Sequence, residues 1–130
     1  MKRPGKLAEV EWQVMNGIWD FNKPVTVRDV HGHLYPDGEK AYTTVQTIMN
    51  ILYEKGFLRR DKVGMVNFYF PTVAREEFAR QQARRLVSRM FNGSFGALAS
   101  FLVADGELSD EELAQLRTMI DAKEKTKNRK

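Results

Sequence analysis

Thr43, Thr44, Gln46, Thr47 and Asn50 crowd one short stretch of the chain, and each carries a small hydroxyl or amide group. Such groups donate and accept hydrogen bonds at short range, which is the chemistry of reading base edges in a DNA major groove. Tyr42 opens the stretch and is grouped with them as a candidate DNA contact. Arg59, Arg60 and Lys62 follow closely and suit phosphate neutralisation.

These side chains need a helix and a hairpin to present them. Val45, Ile48, Met49 and Leu52 follow the i, i+3, i+4, i+7 spacing of one buried helical face. Thr43, Gln46, Thr47 and Asn50 then share the opposite face, which is almost uncharged. A merely solvated face would more often carry Lys and Glu. The pattern predicts a helix over Tyr42–Tyr53, stopped by Gly56. Beyond it, Phe57 to Lys62 and Met65 to Pro71 read as two strands around a turn at Val63-Gly64. In the second strand Val66, Phe68 and Phe70 alternate with Asn67 and Tyr69, which predicts that the phenylalanines face the core. The three cations are expected near the hairpin tip. A neutral polar helix followed by a basic hairpin reads as a winged helix-turn-helix.

Upstream, a helix from about Leu7 to Asp20 carries two apolar stripes: Leu7, Val10, Val14 and Ile18, then Trp12, Met15 and Trp19. Two stripes imply burial on two sides. Pro24 ends that segment. Val25-Thr26-Val27 begins as a possible strand before a second helix, with Thr26 as N-cap and Asp29 three residues on. Tyr35-Pro36-Asp37-Gly38 is a turn cluster, giving the tight connection that helix-turn-helix geometry requires.

A composition shift at Thr72-Val73-Ala74 divides the chain into a DNA-binding unit over 1–74, a helical unit over 75–122 and a basic flexible tail over 123–130. Ser109 with Glu112 forms a capping box, and Leu108 with Leu113 the matching staple. Phe78, Leu86, Val87, Met90, Phe91, Phe95, Leu98, Phe101, Leu102, Leu113, Leu116 and Ile120 are too many large apolar residues for these helices to cover alone. They pack either on the N-terminal unit or on a second copy. The second is favoured, because a winged unit closes its own core and paired half-sites call for a two-fold protein. All of these except Val87 are assigned to a homodimer interface.

The chain has 130 residues, a 42% apolar fraction and a net charge of +4 with pI near 9.4. One packed domain with an assembly arm fits that length, and the charge leans mildly toward polyanions. Residues 1–74 carry 10 Lys and Arg against 8 Asp and Glu, and residues 75–130 carry 11 against 9, so charge does not mark the boundary. No apolar run suits a membrane span, and the basic Met1–Lys6 segment leads into an amphipathic helix, so a cytoplasmic protein without membrane insertion is expected. The absence of cysteine removes disulfides, thiolate metal sites and thiol redox sensing. His31 and His33 sit two apart and point to different helix faces, as surface or half-buried residues, so no metal and no cofactor is expected.

Blander readings stand beside these. An amphipathic helix with a neutral outer face is ordinary, and Arg59, Arg60 and Lys62 would also protect a solvated edge strand. The hairpin directly after the helix raises the DNA reading above both. Trp12, Trp19, Phe57, Phe68 and Phe70 are read as core, and Arg80, Arg84, Arg85 and Arg89 as a solvated face. No Gly-rich phosphate loop, nucleophile elbow or His-Glu-x-x-His occurs, and Glu76-Glu77 and Asp110-Glu111-Glu112 are helix first-turn acids. No enzyme is expected. A protein-interaction winged helix and a ligand-sensing winged regulator are the rival classes.

Glu11-Trp12-Gln13-Val14-Met15, Ile18-Trp19, Thr26-Val27-Arg28-Asp29-Val30, Tyr42-Thr43-Thr44-Val45-Gln46-Thr47, Glu54-Lys55-Gly56-Phe57 and Phe68-Tyr69-Phe70-Pro71 occur in that order. With the Phe95–Phe101 stretch and Leu108-Ser109-Asp110-Glu111-Glu112-Leu113, this sequence resembles the penicillinase repressor (BlaI/MecI/CopY) family over roughly Leu7 to Ile120. The resemblance implies a homodimeric repressor on short promoter palindromes, often of TACA/TGTA type, with no cofactor. By position it makes Thr43, Thr44, Gln46, Thr47 and Asn50 groove readers and Arg59, Arg60 and Lys62 wing contacts. Two departures matter. Copper-responsive members carry Cys-x-Cys pairs, and this chain has no cysteine. Antibiotic-responsive members are cut by a membrane sensor metalloprotease at an Asn-Phe bond; the matching bond here is Ser100-Phe101, so the Phe is kept and the Asn is not.

Overall fold

A computed structural model describes residues 7–128, so the basic segment before Leu7 and the last two residues of the expected tail lie outside the described residues. The elements run α1 (Glu9–Trp19), α2 (Val27–Leu34), α3 (Tyr42–Glu54), β1 (Leu58–Val63), β2 (Val66–Pro71), α4 (Arg75–Met90), α5 (Phe95–Ala104) and α6 (Asp110–Lys127). The chain forms two compact units, Met1–Arg80 and Gln81–Lys130. It is mainly α with one β-hairpin. No single helix among the described residues is long and apolar enough to cross a membrane.

In the first unit, α1, α2 and α3 enclose a core of Val14, Met15, Ile18, Val30, Val45, Met49 and Leu52. The Thr26 hydroxyl accepts the Asp29 N–H at 3.1 Å, and the Asp29 carboxylate accepts the Thr26 N–H at 3.0 Å, the expected reciprocal cap of α2. Val25 is not part of a long strand. It makes an isolated bridge to Tyr69, which ties the entry of α2 to the hairpin. Close approach of α1 and α2 requires Gly17, because a Cβ there would lie 2.6 Å from Leu34 Cδ1. Gly56 takes φ 89°, the left-handed conformation that closes α3 without a steric penalty.

The hairpin register pairs Leu58 with Pro71, Arg60 with Tyr69 and Val63 with Val66, around Gly64 (φ 63°) and Met65. Its inward face differs from expectation. Tyr69 is the buried residue of β2, whereas Phe68 and Phe70 are half-buried on the other face. Tyr69 carries a large ring into the core while its hydroxyl meets a polar partner on α3, so a polar-tipped aromatic wins the inward position over the more apolar Phe. Phe70 is covered instead by the Arg59 guanidinium, 4.3 Å from the ring centroid.

The first unit extends past residue 74, because Phe78 belongs to its core. Phe78 is only 2% exposed, with ring centroids 5.0 Å from Trp12, 5.3 Å from Phe57 and 5.8 Å from Trp19. Its assignment to a subunit interface is therefore corrected: an internal aromatic cluster already buries it. Trp19 Nε1 donates to the Val73 carbonyl at 3.0 Å, and Arg75 donates to the Asn16 carbonyl and to Asp20 at 2.8 and 2.9 Å. These bonds fasten the start of α4 to α1.

The second unit comprises the end of α4, with α5 and α6. Ser94 caps α5 through the Ala97 N–H, and Ser109 with Glu112 forms the expected capping box on α6. Val87 is buried and the Phe91 and Phe101 rings lie 5.9 Å apart. The last helix continues through Lys127, whereas the tail was expected to begin at Lys123. Lys125 and Lys127 in its last turn complement the negative end of the helix dipole, which favours the extension.

Candidate nucleic-acid interface

On α3 the buried face is Val45, Ile48, Met49 and Leu52, as the spacing requires. Thr43, Thr44, Gln46 and Thr47 are exposed together on the other side, beside an exposed Tyr42. Tyr42 packs edge-on against His31, with centroids 6.0 Å apart. The Thr47 hydroxyl donates to the Thr43 carbonyl at 2.9 Å, so it offers its lone pairs and methyl outward. Asn50 departs from this group. It is half-buried, and its Oδ1 accepts from the Tyr69 hydroxyl at 3.0 Å and from Arg60 at 3.3 Å.

The wing cations do not act as one cluster at the tip. Side chains alternate across a strand, so Arg60 and Lys62 share one face of the hairpin and Arg59 lies on the other. Arg60 pairs across the strands with Tyr69, well away from the turn, and its guanidinium lies 4.0 Å from the Tyr53 ring centroid. It therefore stands against α3. Lys62, opposite Asn67, is nearer the turn. The turn itself is apolar, with Met65 92% exposed between Val63 and Val66. The structure thus brings Arg60 to the α3 surface and leaves Arg59 stacked on Phe70.

Sequence reasoning did not single out Tyr53, Tyr69 or Glu11. Glu11 is buried on α1; its carboxylate accepts from Lys55 Nζ at 2.6 Å and from the Ala8 N–H at 3.1 Å. Burial works against ionisation, but the Lys55 hydrogen bond, the Ala8 N–H and the Lys55 charge together hold the Glu11 pKa below its ordinary value. The only available signal was a carboxylate on an apolar helix stripe. Asp20 is also held below its usual range, first by the hydrogen bond to His33 and then by Arg75. His31 instead meets the Lys40 carbonyl at 2.7 Å, so the two histidines face different partners. Among the described residues no group of three or more His, Asp or Glu could hold a metal ion.

An exposed neutral helix with a cation-bearing hairpin against it is the arrangement of a winged helix that docks on a duplex. A family model described as penicillinase repressor matches residues 7–122. The chain belongs to the penicillinase repressor family. The repressor is 25% identical over 118 residues to the methicillin resistance regulatory protein MecI of Mammaliicoccus sciuri, covering 91% of this chain and 95% of that one. It is 26% identical to the penicillinase repressor of Bacillus licheniformis, covering 100% and 98% of the two chains. Among solved structures it matches the solution structure of the DNA-binding domain of the repressor BlaI at 27% identity and TM-score 0.52, over 59% of this chain and 93% of that one. The repressor has the winged-helix fold and is a DNA-binding transcriptional repressor.

Proposed function

We propose that the repressor acts in the cytoplasm as a homodimer that occludes a promoter by gripping a palindromic operator. Two copies of α3 enter successive major grooves about 34–36 Å apart. Tyr42, Thr43, Thr44, Gln46, Thr47 and Asn50 face base edges and sugar-phosphate, while Arg60 and Lys62, with Arg59 further out, neutralise phosphate. One observation supports the two-fold assembly above others. Leu113, Leu116, Met119 and Ile120 on α6 are exposed, with Phe95 and Phe101 on α5 and Leu86 and Met90 on α4. Large apolar side chains in such numbers are costly to leave in water, at about 1.5–3 kcal/mol each when fully buried. Phe91, Leu98 and Leu102 are half-buried beside them and complete the interface.

Relief of repression follows from cutting that clasp. Ser100-Phe101 lies inside α5, and both residues are exposed. A membrane sensor metalloprotease that cleaves this bond would separate the half-sites and remove the avidity that links them. The test pairs sedimentation with duplex titration. The intact chain is expected to sediment as a dimer and to bind a duplex with two half-sites far more tightly than one with a single half-site. A chain that remains monomeric at high concentration and binds both duplexes equally overturns the dimer reading.

A further inference from the structure

We propose that Asn50 is a specificity-determining residue that reads the major groove with its amide donor alone, and that Tyr69 and Arg60 are the positioning residues that impose this. The inference rests on the reading that α3 enters the groove. Arg60 has N–H donors and no acceptor, so the atom of Asn50 that faces it must be the carbonyl oxygen Oδ1. The Tyr69 hydroxyl donates to the same oxygen, and Tyr69 is itself fixed by burial and by backbone bonds to Val25 at 2.9 and 2.7 Å. Arg60 is fixed in turn by the Tyr53 ring. The carboxamide therefore cannot rotate its oxygen outward without breaking two bonds.

An asparagine free to present both atoms pairs with adenine, accepting from N6 and donating to N7. Here Oδ1 is engaged, and only the NH2 group remains. Asn50 lies three and four residues beyond Thr47 and Gln46, so it continues their face of α3. A donor-only group is refused by cytosine, whose edge offers the N4 donor, and finds a single acceptor on thymine (O4) and on adenine (N7, beside the N6 donor). Guanine alone offers two acceptors, N7 and O6, to the two N–H bonds of one amide, so guanine is the base it prefers.

The test uses the full chain and duplexes selected by it from a pool with a randomised core. Asn50→Asp keeps an oxygen for Tyr69 and Arg60 but turns an oxygen outward in place of the amide. It is expected to shift the preference at one position of each half-site from guanine to cytosine, whose N4 donates to a carboxylate. At that position 7-deazaguanine, which lacks N7, is expected to lower wild-type affinity about five- to tenfold, and this penalty is expected to vanish in Asn50→Ala. The Asn50→Ala arm decides the matter alone if the aspartate variant does not fold. A preference that changes at an adenine or a thymine, or at no position, overturns the proposal, as does a 7-deazaguanine penalty that persists without Asn50. A wild-type chain that selects no sequence from the pool removes the operator reading itself; the other failures remove only the donor-only assignment.

Discussion

Lys55 Nζ lies 2.6 Å from Glu11 Oε1, so the C-terminal end of α3 is bonded to a buried carboxylate of α1. The pair joins residues 44 positions apart and fixes α3 against the helix that forms the centre of the core. Its partners differ in exposure, Glu11 being nearly enclosed and Lys55 about one-third open. Solvent screening at the lysine keeps its contribution modest.

This pair makes stability pH-dependent. The folded-state pKa of Glu11 is lowered, so the contribution is complete above the unfolded value near 4.5 and is lost as pH falls through the lower folded value. Urea unfolding from pH 7 to pH 3 is expected to show a steeper acid loss for wild type than for Glu11→Gln. Glu11→Ala is expected to cost about 1–2 kcal/mol at pH 7. Equal acid slopes in wild type and Glu11→Gln would contradict the assignment.

Gly17 is held small by Leu34. A methyl at position 17 meets Leu34 Cδ1, Cγ and Cδ2 at 2.6, 2.7 and 2.8 Å. Helix propensity favours alanine by about 1 kcal/mol, whereas overpacking costs about 1–3 kcal/mol. Gly17→Ala is therefore expected to destabilise the first unit by about 1 kcal/mol. In the Leu34→Ala background the same change is expected to become neutral or favourable, and denaturant titration of the four proteins measures the coupling.

Lys62 and Arg60 are expected to behave differently despite their shared hairpin face. Lys62→Ala removes a cation near the turn with no bond to α3 among those described. It is expected to weaken binding to all sequences alike and to flatten the salt dependence by about 0.9 in log–log slope. Arg60→Ala is expected to flatten the slope similarly and also to change base preference, because it releases Asn50. Competition titrations on duplex variants at several salt concentrations separate the two; identical specificity profiles would contradict the distinction.

Phe78 and Leu116 separate folding from assembly. Phe78→Ala opens the aromatic cluster with Trp12, Trp19 and Phe57 and is expected to cost about 3–5 kcal/mol of stability in the first unit. Leu116→Glu alters an exposed α6 residue and is expected to leave helix content unchanged while weakening self-association. Circular dichroism with sedimentation reads both; dissociation by Phe78→Ala without loss of stability would reverse the assignment.

The local part of this protein was legible in its sequence. Val45, Ile48, Met49 and Leu52 gave the buried face of α3 because helical period alone decides which residues coincide. Thr26 with Asp29 and Ser109 with Glu112 gave two caps, because those bonds close within three residues. Gly56 and Gly64 marked conformations that only a residue without a side chain adopts freely. What needed the tertiary structure was every choice between two local possibilities of similar merit. Strand alternation offers two faces, and hydrophobicity favoured Phe68 and Phe70. The Val25 bridge and the Asn50 carbonyl instead select Tyr69, because a buried hydroxyl requires a partner and α3 supplies one. The same choice sends Arg60 toward α3 and Arg59 away, and it engages the Asn50 oxygen in two hydrogen bonds. Phe78 likewise carried the same apolar signature as Leu86 or Met90, and only the proximity of Trp12, Trp19 and Phe57 placed it inside its own unit. Period and capping are set by bonds between near neighbours in the chain, whereas facing and partnership are set by groups far apart in sequence that folding brings together.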